Sequence, residues 1–271
     1  MRILIRTSKW AIWARRLGTF ALPLAIIPVF LHRERIISSD DFATIELVAG
    51  GFALAALVLA LGAFVRLWIT GDQGWYRATV GMVFALICLA PMAFVLWLAF
   101  HYPSVTDVST DFARPPALVT VISRIATPEQ RAELEAAFPN ARTRTYPIAA
   151  EQMFDIVEQL GAASGWEPRA RRAPTHALDE GDLNAIATTL LGWRDEVAVR
   201  VLGTAAGTMI DMRSAAAHSW SDLGENGRRI EAFLLALDQR ITLMLRDAPQ
   251  TAGAPTEPEP ASPEVQDEEA E

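Results

Sequence analysis

Residues Asp195–Ser214 read DEVAVRVLGTAAGTMIDMRS, and their alternation decides the fold of the second half of the chain. Val197, Val199 and Val201 fall on one side of an extended strand and Ala198, Arg200 and Leu202 on the other, because strand side chains alternate with period two. Between Gly203 and Gly207 the pattern pauses; it resumes with Ile210 and Met212 alternating against Asp211 and Arg213. Two such runs around a short glycine-bracketed loop predict a hairpin. Two more strands are expected upstream, at Trp166–Arg172 and Asp182–Leu190. Consecutive strands on short turns predict an antiparallel sheet, since parallel neighbours need long crossovers.

Helical patterns flank this meander. Thr127-Pro128-Glu129-Gln130 carries a capping Thr, Pro at the first helical position and Gln three residues after the cap, a helix start that places Leu134 and Phe138 on one face. A second helix is expected over Ala149–Ala163, where Met153, Val157 and Leu160 form an apolar stripe. A third is expected from Asp222 to about Leu245, with Ile230, Phe233, Leu234, Leu237, Ile241 and Met244 on one face. Helices, meander and helix predict a two-layer α+β domain over residues 104–247, an antiparallel β-sheet covered by helices. Beyond Asp247 the chain is rich in Pro, Ala and Glu, a composition that cannot support packing, so 248–271 reads as a disordered acidic tail.

The first half differs in kind. Apolar stretches at 17–31, 47–70 and 80–100 match the roughly 20 residues needed to cross a bilayer, so residues 1–103 are expected to form a membrane region of three transmembrane helices. The first stretch is short and holds Pro23 and Pro28, which leaves a signal peptide or an interfacial helix as alternatives. A span is favoured, because no small-x-small cleavage site precedes the charged run His32-Arg33-Glu34-Arg35. Arg2, Arg6, Lys9, Arg15, Arg16, Arg66 and Arg77 then fall on one side, and Arg33, Arg35 and Arg114 on the other. Positive residues stay cytoplasmic, so the N-terminus is expected in the cytoplasm and the C-terminal domain in the periplasm of an inner-membrane protein. Gly51 with Ala55 and Ala56 with Ala60 are spaced for close helix packing, expected within the three-helix unit. No Asp, Glu, Lys or Arg lies mid-span in the three stretches, Arg66 falling near the end of the second, which argues against a transporter. Trp68, Trp75, Tyr76, Trp97 and Tyr102 fit interfacial aromatic belts.

Composition narrows the function. A hydrophobic content of 51% is high for a soluble chain. The net charge of −8 resides almost wholly in the tail, where 251–271 carries seven acids and no Lys or Arg and leaves −1 for the rest. A near-neutral body excludes nucleic-acid binding, which needs a basic field. The single cysteine, Cys88, excludes an internal disulfide and a Cys-based zinc site. No Gly-x-Ser-x-Gly elbow, glycine-rich nucleotide loop or metal-binding His pair is present, so no cofactor or metal is expected and no catalytic residue is assigned. His32 and His101 flank spans as isolated histidines, which do not make a haem site.

The remaining chemistry lies in two places. Arg200, Asp211 and Arg213 share a parity on adjacent strands and predict a cross-strand charge ladder on the sheet face away from the aliphatic core. That face is either solvated or, if the sheet curls or the early segment crosses it, a partly buried polar pocket. Asp222, Asn226 and Arg229 crowd the start of the last helix. Asp222 as N-cap with Glu225 completing a capping box is the structural reading; holding an anion at the helix start, with Arg213 nearby, is the functional one. His218 four residues before Asp222 invites a general base, with Ser214, Ser219 or Ser221 as nucleophile.

Taken together, DVSTDFARPP (Asp107–Pro116), TYP (Thr145–Pro147), Gly165-Trp166, DEVAVRV (Asp195–Val201), IDMRS (Ile210–Ser214) and SDLGENGRRI (Ser221–Ile230) resemble the domain-of-unknown-function family 1499 over roughly residues 103–241. The resemblance implies an envelope or membrane-anchored protein with no established activity. It singles out Asp107, Asp111, Pro115, Pro116, Arg200, Asp211, Arg213, Ser214, Asp222, Gly224, Asn226 and Arg229. It also exposes a departure: family members carry a further serine and arginine followed by glycine before the SDLG piece, where this chain has Ala216, Ala217 and Ser219. The expectation is a membrane-anchored periplasmic module that binds an envelope protein partner or a small anionic ligand in envelope maintenance, through Arg200, Asp211, Arg213, Asp222, Asn226 and Arg229. The alternatives are a hydrolase using His218 and Asp222, and a structural subunit of a membrane complex.

Overall fold

A computed structural model describes residues 6–122, 126–217 and 221–247. Three long helices, α1 (Lys9–Arg33), α2 (Ser39–Thr70) and α3 (Trp75–His101), precede β1 (Asp107–Ser109), α4 (Pro128–Ala137), β2 (Arg144–Tyr146), α5 (Ala150–Ala163), β3 (Glu167–Arg172), β4 (Glu180–Thr188), β5 (Arg194–Thr204), β6 (Gly207–Ala216) and α6 (Glu225–Asp247). The α+β layout read from the sequence is the observed one. His218 and the tail at 248–271 lie outside the described residues.

With 25, 32 and 27 residues, α1, α2 and α3 are long and apolar enough to cross a membrane. At 1.5 Å per residue even α1 extends about 37 Å, more than a hydrocarbon core of about 30 Å. Both α1 and α2 begin eight residues earlier than their apolar stretches, at Lys9 and Ser39, with Pro23 and Pro28 inside α1. The early start of α2 has a local cause: the Ser38 hydroxyl accepts from the Asp41 amide and Asp41 returns the bond to the Ser38 backbone, a capping box. The extension brings Glu46 inside α2, where one carboxylate oxygen is buried with no hydrogen-bond partner among the described residues; the absence of acids holds for 47–70 but not for the whole helix.

Small residues let the helices touch. A side chain at Gly81 would meet the backbone of Ala14 and Arg15 at 2.5–2.7 Å, and one at Gly18 the carbonyl of Gly81. Ala56 and Ala60 are fully buried, as internal packing requires, whereas Gly51 has nothing within 4 Å and faces outward. The Ser8 amide donates to the Gln73 carbonyl at 2.9 Å, so the start of α1 and the α2–α3 turn share one end of the bundle. The C-terminal domain sits at the other.

That domain is built on one antiparallel six-stranded sheet of order β1-β6-β5-β4-β3, with β2 also pairing to β6. β1 and β2 have three residues each, too few to show an alternation in sequence. On one face Val197, Val199, Val201, Ile210 and Met212 meet Met153, Phe154 and Val157 of α5 and Phe233, Leu234 and Leu237 of α6 in a single core. The observed β4 runs Glu180–Thr188 rather than Asp182–Leu190, which moves Leu190 into the β4–β5 turn.

This turn joins the two halves. The His32 ring, at the end of α1, donates from Nδ1 to the Leu191 carbonyl at 2.7 Å, and its Nε2 meets the Ser39 hydroxyl at 3.0 Å. The Arg33 guanidinium donates to the Leu190 carbonyl at 2.5 Å. Phe42 stacks on His32 at 4.8 Å and meets the edge of Trp193 at 5.5 Å. At the other junction Tyr102 stacks on Phe138 at 5.5 Å, so this ring belongs to the domain core rather than to an aromatic belt. Trp68, Tyr76 and Trp97 are exposed on the helices, as belts require.

Candidate functional site

The six candidate residues divide between the two faces of the sheet. Arg200, Asp211 and Arg213 share the face opposite the helices, and this face is not solvated: all three are buried. It is covered by a strap formed by residues 107–122. The strap leaves β1 beside β6, passes Asp111 over Arg200, turns back near Arg114, which pairs with Glu180, and returns past Pro116 and Ala117 to Glu196. The early segment of the domain crosses this face, and the cross-strand pair of Arg200 with Asp211 lies buried beneath it.

Each charge on this face has a partner from the strap or the sheet. Arg200 stands opposite Asp211 in register, 2.6 Å from its carboxylate, and also donates to Asp111 at 3.0 Å and the Arg114 carbonyl at 2.7 Å. Arg213 donates through Nε and Nη2 to both oxygens of Asp107, at 2.8 and 2.5 Å, and through Nη1 to the Pro116 carbonyl at 3.1 Å. This two-pronged geometry is among the stronger protein ion pairs. Glu196, fully buried, accepts from the amides of Val119, Thr120 and Val121 at 2.5, 2.8 and 2.8 Å. Burial pushes the Asp111 carboxyl up, but the amides of Arg114 and Ala113 and the Arg200 guanidinium outweigh it and hold Asp111 below the ordinary range. The whole is a set of paired charges, as buried ions require.

The second cluster lies on the helix face, where the chain enters α6. Arg229 donates to the Ser214 hydroxyl at 2.9 Å, to the Asn226 side-chain oxygen at 2.7 Å and to Asp195 at 2.8 Å. Asn226, fully buried, also accepts from the Ser214 hydroxyl at 2.7 Å and donates to the Thr106 carbonyl at 3.1 Å. Asp222 accepts from the amides of Gly224 at 3.0 Å and Asn226 at 2.9 Å. Burial raises the Asp195 carboxyl, against the pull of Arg229, and raises the Asp222 carboxyl, against the Asn226 and Gly224 amides.

The expected capping box is corrected here. The helix begins at Glu225, not Asp222, because Leu223 and Gly224 take left-handed conformations with φ of 54° and 77°. Asp222 thus serves the first turn from outside the helix, and Glu225 turns to Arg228 at 2.9 Å instead of returning to Asp222. Gly224 is needed twice over, for its φ and because a Cβ there would come within 2.4 Å of the Tyr102 ring.

Sequence reasoning missed Glu196 and Asp195 as members of these clusters. Glu196 has the parity of Ala198 and Arg200 in β5, the signal that could have placed it on the strap face. The general-base pairing of His218 with Asp222 falls on a residue outside the description, and Asp222 itself is engaged with backbone amides. Among the described residues no three His, Cys, Asp or Glu side chains are grouped to hold a metal. A hollow of about 360 Å³ lies beside the β5–β6 turn, lined by Pro147, Ile148, Ala177 and Thr204 among others, and contains none of the six residues.

No curated protein and no solved structure matches the chain. Residues 107–237 match the model of a family described as protein of unknown function (DUF1499). This stretch opens at Asp107, the partner of Arg213, and takes in both charge clusters. The domain built by residues 107–237 belongs to the DUF1499 family of proteins of unknown function.

Proposed function

We propose that this chain is an inner-membrane protein whose C-terminal domain stands in the periplasm and binds an envelope protein partner. The orientation rests on Arg6, Lys9, Arg15, Arg16, Arg66 and Arg77, which collect toward the end of the bundle remote from the domain, the side where positive residues are retained. The observation that carries the binding reading is the pairing of the arginines. Arg200, Arg213 and Arg229 each meet a carboxylate of their own domain, so the chemistry that would receive a small anion is used to hold the strap and α6 in place. What this frame offers outward is a rigid surface fixed to a membrane anchor, which suits a protein better than a metabolite.

One observation favours a second reading, a small anionic ligand at the start of α6. Asp195 and Asp222, both raised by burial, flank Arg229 together with Asn226, and perturbed carboxyls around one guanidinium recur at functional sites. A ligand carboxylate or phosphate would there displace Asp195.

Cross-linking the full chain in native membranes, beside native mass spectrometry of the detergent-solubilised chain and its Arg229→Ala variant, separates the two. A protein recovered at one copy per chain, with no discrete small mass, supports partner binding. A discrete small mass that disappears in Arg229→Ala overturns it in favour of the ligand.

A further inference from the structure

The domain's large exposed aliphatic side chains are unevenly placed, and three of them collect at the end that touches the helices. Leu190, 84% exposed, sits in the β4–β5 turn, and its own carbonyl accepts from Arg33, the last residue of α1. Ile36, 67% exposed, follows three residues later in the α1–α2 turn. The lipid-facing surface of the bundle therefore continues directly onto the turn of the domain.

The strap adds to the same end. Its outward limb climbs from β1 to Arg114, which reaches Glu180 at the far end of β4; its return limb descends through Ala117, bonded to Asn184, to the amides held by Glu196. Glu196 lies two residues from the last rung of the β4–β5 ladder, Thr188 with Arg194, about 7 Å along a strand. The return limb thus delivers Val119, 64% exposed, and Ile122, 86% exposed, toward the membrane end. A buried carboxylate gripping three consecutive amides fixes this apolar loop in its outward-facing shape. An aliphatic loop held open toward water is unfavourable in proportion to the apolar area it could bury, and the bundle beside it supplies an apolar phase in the bilayer.

We propose that Leu190, Val119 and Ile122 enter the lipid interface beside Ile36, so that the domain lies on the bilayer rather than standing clear of it. The occupant of this surface is lipid at the boundary of headgroups and acyl chains, the depth at which interfacial segments bury an apolar face. The inference is independent of the partner: a domain seated in this way presents its helix face and its far end, where Leu178 lies, to other proteins.

Spin labels on the full chain in lipid nanodiscs test it, with Cys88→Ala to remove the native thiol. Leu190→Cys, Val119→Cys and Ile122→Cys are compared with Leu178→Cys, a position as exposed as Val119, at 63%, but in the β3–β4 turn at the opposite end. The expected result is loss of collisions with a water-soluble nickel chelate and gain of collisions with oxygen at the first three labels, and the reverse at 178. Equal access of the nickel chelate to all four labels overturns the proposal, as does shielding of the first three from both reagents, which would place protein there.

Discussion

The two faces of one sheet are covered by opposite means. On the helix side Val197, Val199 and Val201 are sealed by apolar side chains of α5 and α6; on the other, Arg200, Asp211, Arg213 and Glu196 are sealed by a strap with little regular structure. Hydrophobic burial is non-directional and tolerates small shifts in how a helix lies. Paired charges fix the chain point by point, and a strap that leaves its only ladder at the three-residue β1 needs such points to satisfy its backbone. The comparison teaches that these buried charges, which resemble a binding site in sequence, have a structural task.

The largest effects should come from breaking either cover. Arg213→Ala removes the two-pronged partner of the buried Asp107 carboxylate and should destabilise the domain by about 3–5 kcal/mol. Leu237→Ala, which opens the helix-side core, should cost about 2–5 kcal/mol. Denaturant unfolding of the full chain in detergent, followed by tryptophan fluorescence, measures both. A loss below about 1 kcal/mol for Arg213→Ala would remove the strap face from the account.

Glu196→Gln sharpens the comparison without destroying the fold. The amide keeps one acceptor but turns an NH₂ toward amides that also donate, at a cost of roughly 1–3 kcal/mol. Hydrogen exchange should speed up at Val119–Val121 while Val199 and Ile210 stay protected. Uniform acceleration would show that strap and core open together.

A smaller effect comes from pH. Asp195 and Asp222 have folded values above the ordinary one near 3.8, so the native domain binds more protons than the unfolded chain as pH rises above that value. Their contribution to stability is full below about pH 4 and is lost as pH climbs through the raised values. Asp111 works in the opposite sense, stabilising above its ordinary value and losing that as pH falls. Asp222→Asn retains a capping acceptor and should flatten the decline in stability on going from pH 4 to 7. An unchanged slope in unfolding midpoints would contradict the burial of that carboxyl. The smallest effect is expected at Arg172, whose pairs with Glu180 and Asp182 are exposed; Arg172→Ala should change stability by less than about 1 kcal/mol.

Sequence legibility follows the same division. Period-two alternation reveals β5 and β6 because one face is aliphatic, and the spacing of Phe233, Leu237 and Ile241 reveals α6 for the same reason. The parity of Arg200, Asp211 and Arg213 is legible too, but their partners Asp107 and Asp111 lie about 90 to 106 residues away in a segment with no periodicity; only the family motif marks them. The start of α6 is not legible, because two left-handed residues, one of them Leu223, separate the capping Asp222 from the helix, and nothing in a leucine announces that conformation.

The most direct test replaces one ion pair by an apolar pair of similar bulk, Asp107→Leu with Arg213→Met, in the full chain. Removing both charges together avoids a stranded ion and commonly preserves stability. If the strap charges are structural, the double variant should unfold within about 2 kcal/mol of the parent, keep slow exchange at Val119–Val121, and retain whatever protein cross-links to the parent in membranes. A variant that stays equally folded and protected yet loses that protein would contradict the account, since the pair would then be part of the binding surface itself.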